Sequence, residues 1–352
     1  MSRRTAGSRR RPAHPESIVE TGWVADHLGD TDVRIVEVDV DTAAYDSGHV
    51  PGAVGWNWTT QLNDQLTRDI LSREQMQRLL GESGISRNTT IVLYGDNSNW
   101  FAAYAFWQMR IYGHRKLAIM NGGREKWIAE GRPLSPDAPL IDRRVYRASA
   151  ADTSIRATRD YLIDLATTQN NIALVDVRSR EEFDGALLAP PDLPQEGSQR
   201  GGHIPNAANI TWSSAINEAD GAFKSVEELR AIYEREGISA DREIVTYCRI
   251  GERSAHTWFV LTEILGYPKV RNYCRPSAQV GHIWADSQHC GYLKLSHLKC
   301  NTLRSHEVAA PLRHSQPRAS TMQRPLSHAT IVGATDCNRC APHHSGYPDE
   351  PT

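Results

Sequence analysis

The segment from residue 248 to residue 254 carries the strongest chemical signal in the chain. Cys248 follows an apolar run at 243–247 and opens the sequence Cys-Arg-Ile-Gly-Glu-Arg-Ser, after which an amphipathic helix is predicted. A turn from a strand into a helix directs backbone N–H groups and the positive end of the helix dipole at one point. Helix N-termini and nearby cations lower the pKa of a cysteine. We therefore expect Cys248 to be ionised and reactive, in a loop able to hold an oxyanion or an added sulfur.

The alternative for Cys248 is a structural role, since an isolated cysteine is most often a small buried core residue. Arg249, Glu252 and Arg253 argue against it, because they bring charges to the thiol that a core would not tolerate unpaired. We therefore favour a reactive thiol.

The composition limits the classes of protein to consider. A chain of 352 residues is long enough for two domains, and its formal net charge of −2 does not suggest a nucleic-acid binder. No apolar run approaches the length that spans a bilayer, and the N-terminus lacks the hydrophobic stretch of a signal peptide. Residues 1–273 hold one cysteine, which excludes a disulfide framework there and fits a reducing compartment. We expect a cytoplasmic protein that binds neither nucleic acid nor membrane.

One structural design is used twice along the chain. An apolar run at 34–40 and a Gly-His-Val-Pro turn at 48–51 return as an apolar run at 173–177 and a Gly-His-Ile-Pro turn at 202–205. Self-similarity of this kind indicates two copies of one domain.

Two predicted helices carry matching start and stop signals. Ser72 and Ser225 each begin a capping box, in which Gln75 or Glu228 reaches back to the serine. The two serines are 153 residues apart, and both helices stop at a Gly-Ile-Ser sequence with the same spacing.

The same spacing relates the apolar run at 91–94 to the run at 244–247, so Gly95 stands in the first half where Cys248 stands in the second. Only the second half therefore keeps a nucleophile. Short apolar strands that alternate with capped helices predict an α/β fold with a mainly parallel sheet in each half. Sites form at the carboxyl ends of such strands, where Cys248 is placed.

These patterns divide the chain into five segments. We expect a basic disordered leader at 1–16, a non-catalytic domain at 17–131, a linker at 132–154, a catalytic domain at 155–273 and an aberrant tail at 274–352. The tail holds five of the six cysteines and eight of the fourteen histidines, without a helical or strand period. We interpret it as a shifted reading frame or an unrelated fusion that replaces the last segment of the second domain and is disordered.

A metal site is the alternative for the tail, with Cys337, Cys340, His343 and His344 as ligands. One Cys-x-x-Cys pair with two adjacent histidines is weak evidence for zinc, because adjacent histidines close a tetrahedron poorly. We therefore expect neither a metal nor another cofactor.

Together these motifs resemble a tandem-domain rhodanese, the family of thiosulfate and mercaptopyruvate sulfurtransferases. In the second half the resemblance rests on the Asp-Val-Arg sequence at 176–178, the Gly-His-Ile-Pro-Asn-Ala sequence at 202–207 and the loop at 248–254. In the first half it rests on the segments 48–53 and 122–127.

The resemblance implies two tandem rhodanese-like domains and a sulfur transfer in two steps. The thiolate of Cys248 attacks the outer sulfur of thiosulfate, sulfite leaves, and the cysteine persulfide passes its sulfur to cyanide or another thiophilic acceptor. We expect the protein to act as a monomer. The implied substrate-binding residues are Arg178, Arg249, Ile250, Gly251, Glu252, Arg253 and Ser254.

Three nearby residues are expected to be structural. His49 and His203 resemble catalytic bases, but in Gly-His-Ile-Pro turns the ring packs and hydrogen-bonds locally. Asp176 is expected to brace the turn before Arg178, whose alternative role is an ion pair with Glu181 or Glu182.

The donor and the reaction class have alternatives. Arg249, directly after the cysteine, resembles the thiosulfate-using branch, so thiosulfate is the expected donor and 3-mercaptopyruvate the alternative. A cysteine phosphatase would need arginine at position 254, where this chain has Ser254. A non-catalytic sulfur carrier is the third class.

Overall fold

Two parallel sheets, one from each half of the chain, organise the fold. The computed structural model describes residues 10–67, 69–167, 171–189 and 201–274. Both sheets lie within one compact unit, and each has five strands flanked by helices. The prediction of an α/β fold with tandem domains is confirmed.

The first half contributes strands β1 (Ile18–Val19), β2 (Val33–Asp39), β3 (Val54–Asn57), β4 (Thr90–Tyr94) and β5 (Leu117–Met120). Its helices are α1 (Thr21–Asp26), α2 (Ala43–Ser47), α3 (Trp58–Gln61), α4 (Arg73–Glu82), α5 (Trp100–Ile111) and α6 (Gly123–Ala129). The strand order is β1-β5-β4-β2-β3, and every neighbouring pair is parallel.

The second half contributes strands β6 (Arg156–Ala157), β7 (Ile172–Asp176), β8 (Ala208–Asn209), β9 (Glu243–Tyr247) and β10 (Val270–Tyr273). Its helices are α7 (Arg159–Thr167), α8 (Arg180–Asp184), α9 (Val226–Arg235) and α10 (Glu252–Phe259), the last continued by a π-helical segment, Val260–Ile264. The strand order β6-β10-β9-β7-β8 repeats that of the first sheet, again with parallel pairs. Within the described residues, no helix is both long and apolar enough to cross a membrane.

Local sequence signals explain how the central strands and their helices form. In β4 and in β9 every residue after the first is buried, as expected for strands of a parallel sheet that is covered on both faces. The capping boxes at Ser72 and Ser225 are both formed, with the serine side chain accepting from the backbone of Gln75 and Glu228 respectively. The chain therefore delivers residue 248 to the carboxyl edge of the second sheet, directly before α10.

The halves pack against each other through α5 and α10. The rings of Phe106 and Phe259 meet edge to face, with centroids 4.9 Å apart. Arg110 Nη2 lies 3.0 Å from Glu263 Oε2 at the end of the same contact. One hydrophobic core extends through this contact, so the second sheet shares buried residues with the first half.

The structure corrects the predicted leader. The N–H groups of Ala13 and His14 donate to the carbonyls of Ile264 and Glu263, each at 2.9 Å. These carbonyls close the helical segment after α10, where backbone acceptors lack helical partners. The expectation of disorder over 1–16 is therefore wrong for residues 10–16, while residues 1–9 lie outside the described part.

The structure also corrects the start of the predicted tail. Cys274 is 3% exposed, and its sulfur lies 3.4 Å from the hydroxyl oxygen of Tyr104. The prediction that the tail takes no part in the fold is therefore wrong for this first residue. The rest of the tail lies outside the described residues, as do the candidate zinc ligands Cys337, Cys340, His343 and His344.

The segment between the halves is packed although it is irregular. Residues 132–152, all of which are described, contain no helix or strand. Tyr146 is 4% exposed with its hydroxyl 2.9 Å from His114 Nδ1, and the N–H of Arg144 donates to the Gly81 carbonyl at 2.9 Å. This segment, predicted as a linker, is therefore packed against the first half.

Candidate active site

Cys248 lies between β9 and α10 with its sulfur at the N-terminal end of the helix. The N–H of Gly251 donates to Sγ at 3.1 Å, and Ser254 Oγ lies 3.6 Å from the same sulfur. Gly251 has a φ of +112°, and a side chain there would strike Cys274, so only glycine fits this turn. The loop thus aims backbone N–H groups at the sulfur, as predicted from its position before a helix.

The direction of the pKa shift of Cys248 differs from the expectation. The residue is 2% exposed, and Sγ lies 3.4 Å from Glu252 Oε2, so the thiol donates to a carboxylate. Burial raises the pKa of the Cys248 thiol, and the Glu252 carboxylate raises it further, while Arg253 and the N–H of Ser254 act in the opposite direction. The shift is opposite to the lowered pKa expected for a thiol before a helix, because burial outweighs the cation and the N–H groups. That Cys248 is the reactive thiol stays a prediction.

Arg253 is held by a carboxylate that the sequence reasoning did not connect with it. Its Nη1 and Nη2 donate to the two oxygens of Glu182 at 2.8 and 3.0 Å, and the guanidinium is 4% exposed. Burial alone would lower the pKa of Arg253, but the pairing with Glu182 outweighs it and raises that pKa. This bidentate ion pair connects α10, which begins in the cysteine loop, to α8. As a substrate contact Arg253 stays a prediction.

Arg178 is also paired within the protein. Its Nη2 donates to Asp176 Oδ2 at 2.6 Å and to the Gly202 carbonyl at 2.8 Å, and its side chain is 1% exposed. Asp176 further accepts from the backbone N–H of Arg178 at 3.0 Å, which confirms that it braces this turn. The ion pair is with Asp176 and not with Glu181 or Glu182. A substrate contact by Arg178 stays a prediction.

The other loop residues surround the sulfur at different depths. Arg249 and Ile250 are half-buried between β9 and α10. Ser254 is fully buried, and its hydroxyl donates to Asn272 Oδ1 at 2.6 Å. Asn272 Nδ2 in turn donates to the Gly251 carbonyl at 3.0 Å, so a side chain of β10 holds the cysteine loop in place.

Sequence reasoning missed Asn272 and the pairing of Glu182 with Arg253. The capping box that Ser179 and Glu182 form at the start of α8 could have been found from the sequence, but it does not reveal the partner of Arg253. The carboxylate of Glu182 serves both that cap and the ion pair with Arg253. No local pattern marks Asn272, whose role depends on the neighbouring strand.

The two histidines are structural, as expected. His49 Nδ1 lies 2.9 Å from the Tyr45 carbonyl, and its ring stacks on Tyr45. His203 Nδ1 lies 2.8 Å from the Phe183 carbonyl and stacks on that phenyl ring at 3.5 Å. Both therefore fix a turn instead of facing the cysteine.

In the first half, the position equivalent to Cys248 is closed. A Cβ on Gly95 would lie 2.3 Å from the Val38 carbonyl oxygen and 2.8 Å from Asp39 Oδ1. Close by, Arg124 forms a buried ion pair with Glu37. The first half has therefore lost the space for a side chain as well as the nucleophile.

Comparisons with known proteins identify the family. A model of the rhodanese-like domain matches residues 20–130 and again residues 158–274. The sulfur carrier protein TtuD of Thermus thermophilus is 51% identical over 263 residues, which is 74% of this chain and 92% of that protein. A protein of Saccharopolyspora erythraea with the name "Putative thiosulfate sulfurtransferase" is 49% identical over 258 residues, 73% of this chain and 90% of that protein.

A solved structure supports the fold. The 3-mercaptopyruvate sulfotransferase SseA from Escherichia coli has a TM-score of 0.61 at 22% identity, covering 73% of this chain and 97% of that one. Because the rhodanese-like domain matches both halves and the two relatives are 51% and 49% identical, the chain belongs to the rhodanese family of sulfurtransferases, with two copies of the domain. Its substrates are a donor and an acceptor of sulfur.

Proposed function

We propose that this protein transfers the outer sulfur of thiosulfate to a thiophilic acceptor through a persulfide on Cys248. The observation that carries the proposal is the position of Cys248 Sγ at the N-terminus of α10, with the Gly251 N–H at 3.1 Å. A persulfide adds an anionic sulfur at this point, where backbone N–H groups and the helix dipole favour negative charge.

The two steps balance without a further reactant. The Cys248 thiolate attacks the outer sulfur of thiosulfate, the sulfur–sulfur bond of thiosulfate breaks, and sulfite leaves with the bonding electrons. The acceptor then attacks the outer sulfur of the persulfide, and Cys248 leaves as a thiolate. Cyanide would give thiocyanate, and a thiol would give a new persulfide.

The surrounding residues divide into two groups. Arg249, Ile250, Gly251 and Ser254 are proposed to contact the donor directly, with the half-buried Arg249 nearest to its oxyanion part. The buried arginines Arg178 and Arg253, each paired with a carboxylate, are proposed to contribute positive charge and to shape the loop.

3-Mercaptopyruvate is the second candidate donor, and the likeness to SseA is one of fold alone. The cationic Arg249 after the cysteine favours the dianion thiosulfate. Arg253 argues against a phosphatase, because its two terminal nitrogens already bind Glu182. A sulfur carrier, as in the name of TtuD, would load Cys248 in the same way but would discharge only to a partner protein.

Mass spectrometry after exposure to thiosulfate tests the proposal. We expect one added sulfur on the peptide that contains Cys248 and one equivalent of sulfite released, and neither in Cys248→Ser. Thiocyanate formation on addition of cyanide would separate an enzyme from a carrier that discharges only to a protein. A Cys248 peptide that gains sulfur from 3-mercaptopyruvate and not from thiosulfate would replace the proposed donor.

A further inference from the structure

We propose that Glu252 accepts and returns the proton of Cys248, and that it fits this site to a thiol, which must lose a proton to take the sulfur, in preference to an acceptor that has no proton to lose. The inference deepens the proposed function and rests on the persulfide chemistry given above. It assigns Glu252 a catalytic role at the reacting sulfur, beyond general contact with substrate.

The geometry places the carboxylate at the reacting atom. Glu252 Oε2 lies 3.4 Å from Cys248 Sγ, and the residue is 6% exposed. Glu252 is also the first residue of α10, where the helix dipole favours a carboxylate. Arg253 Nε lies 3.9 Å from its other oxygen. A carboxylate is thus held within hydrogen-bonding distance of the thiol.

This arrangement answers the effect of burial on the thiol. Burial and the Glu252 carboxylate raise the pKa of Cys248, which disfavours the thiolate needed for attack. A base in contact with the sulfur can take the proton as the thiol attacks, which is the usual task of a carboxylate in general acid–base catalysis. The proton then passes from Glu252 to the departing sulfite, which leaves as hydrogensulfite, so the carboxylate can accept a proton again in the acceptor step.

The same carboxylate discriminates among acceptors by whether they must lose a proton. Ordinary thiols have a pKa of about 8.5 and are mostly protonated at neutral pH, so a thiol acceptor needs a base at the sulfur. Sulfite attacks through a lone pair without losing a proton, so it needs no such base. Glu252 therefore aids a thiol more than it aids sulfite.

The proton and the electrons balance in the acceptor step. The thiol R–SH gives its proton to Glu252 and attacks the outer sulfur of the Cys248 persulfide anion. The persulfide bond breaks, and its electrons pass to Cys248 Sγ, which takes the proton from Glu252. The products are the anion R–S–S⁻ and the neutral Cys248 thiol.

A single-turnover discharge experiment tests the inference. Protein loaded with thiosulfate and freed of excess reagent is mixed with 2-mercaptoethanol or with sulfite, and loss of sulfur from the Cys248 peptide is followed by mass spectrometry. In Glu252→Gln, the ratio of the thiol rate to the sulfite rate should fall by about 100-fold or more. Glu181→Gln removes the same charge from an exposed position and should leave the ratio unchanged.

The outcomes separate this inference from the proposed function. Wild-type protein that gains no sulfur from thiosulfate would overturn both. If the wild type loads normally, two results in Glu252→Gln would overturn the role of Glu252 alone. One is an unchanged ratio of the thiol rate to the sulfite rate, and the other is an equal fall of both rates. Glu252→Asp keeps the charge but withdraws it from Sγ, and should lower the ratio by a smaller factor. An unchanged ratio in that variant would also contradict the inference.

Discussion

At the scale of single residues, two opposing effects act on the sulfur of Cys248. The Gly251 N–H and the start of α10 favour a negative Cys248, whereas burial and Glu252 favour the neutral thiol. Because the pKa of Cys248 is raised, reactivity depends on a group that can take the proton. In the proposed persulfide the charge lies on the added sulfur, where the loop N–H groups can stabilise it.

The first half contains a buried carboxyl group whose titration affects stability. Asp39 is 3% exposed and accepts from the Asp96 N–H at 2.7 Å. Burial raises the pKa of Asp39 to about 8, and the charge of Glu37 acts in the same direction. In the unfolded chain the group ionises near its ordinary pKa of 3.8. Between these values unfolding releases a proton, so this group lowers stability as pH rises, by at most about 1.4 kcal/mol per pH unit.

Replacement of Asp39 by asparagine should remove this pH dependence. The amide oxygen can still accept from the Asp96 N–H, while the ionisable group is lost. The unfolding free energy of Asp39→Asn relative to wild type, measured in urea, should therefore be higher at pH 8 than at pH 5. Asp26→Asn, at an exposed position, serves as the control. An equal difference at the two pH values would show that Asp39 is not protonated in the folded protein.

At the scale of elements, the sequence predicts those features that depend only on residues close together in the chain. The capping boxes at Ser72 and Ser225, the buried runs of β4 and β9, and the turn before α10 all follow from short patterns. These features place Cys248 correctly. The direction of the pKa shift of Cys248 and the partner of Arg253 could not be predicted, because they depend on burial and on Glu182, which is 71 residues away from Arg253 in sequence. The order of residues 10–16 likewise depends on carbonyls of the π-helical segment after α10.

The closed turn after β4 predicts that a nucleophile cannot be restored there. In Gly95→Cys the new Cβ would lie 2.3 Å from the Val38 carbonyl oxygen, so the backbone of β2 must shift. We expect a loss of about 2 kcal/mol or more in unfolding free energy, and no sulfur added by thiosulfate at position 95 in a Cys248→Ser background. Gly29→Cys, which has open space around its Cβ, should cost far less. Persulfide at position 95 would show that the first half retains a working loop.

At the scale of the whole molecule, three contacts between the halves each join a residue to its own counterpart. Trp100 and Arg253, Phe106 and Phe259, and Arg110 and Glu263 are all in contact, and the members of each pair are 153 residues apart. A two-fold interface has this property for residues near its axis. The two domains therefore associate like the subunits of a symmetric dimer joined in one chain. The pair nearest the site has diverged into an indole and a guanidinium.

The pseudo-symmetric pair of Arg110 and Glu263 allows the two-fold arrangement to be tested by exchange. Both side chains are largely buried, with 14% and 8% exposed, and their charged atoms are 3.0 Å apart. Arg110→Glu or Glu263→Arg alone places like charges together and should lower the unfolding free energy in urea by about 3 kcal/mol. The double exchange restores the pair with its members swapped across the axis, and should recover most of that loss in a double-mutant cycle. The same exchange at the exposed pair Arg180 and Asp184 should change stability by less than about 1 kcal/mol. Additive losses from the two buried changes would mean that these positions are not equivalent across the interface, and the symmetric description of the contact would then fail.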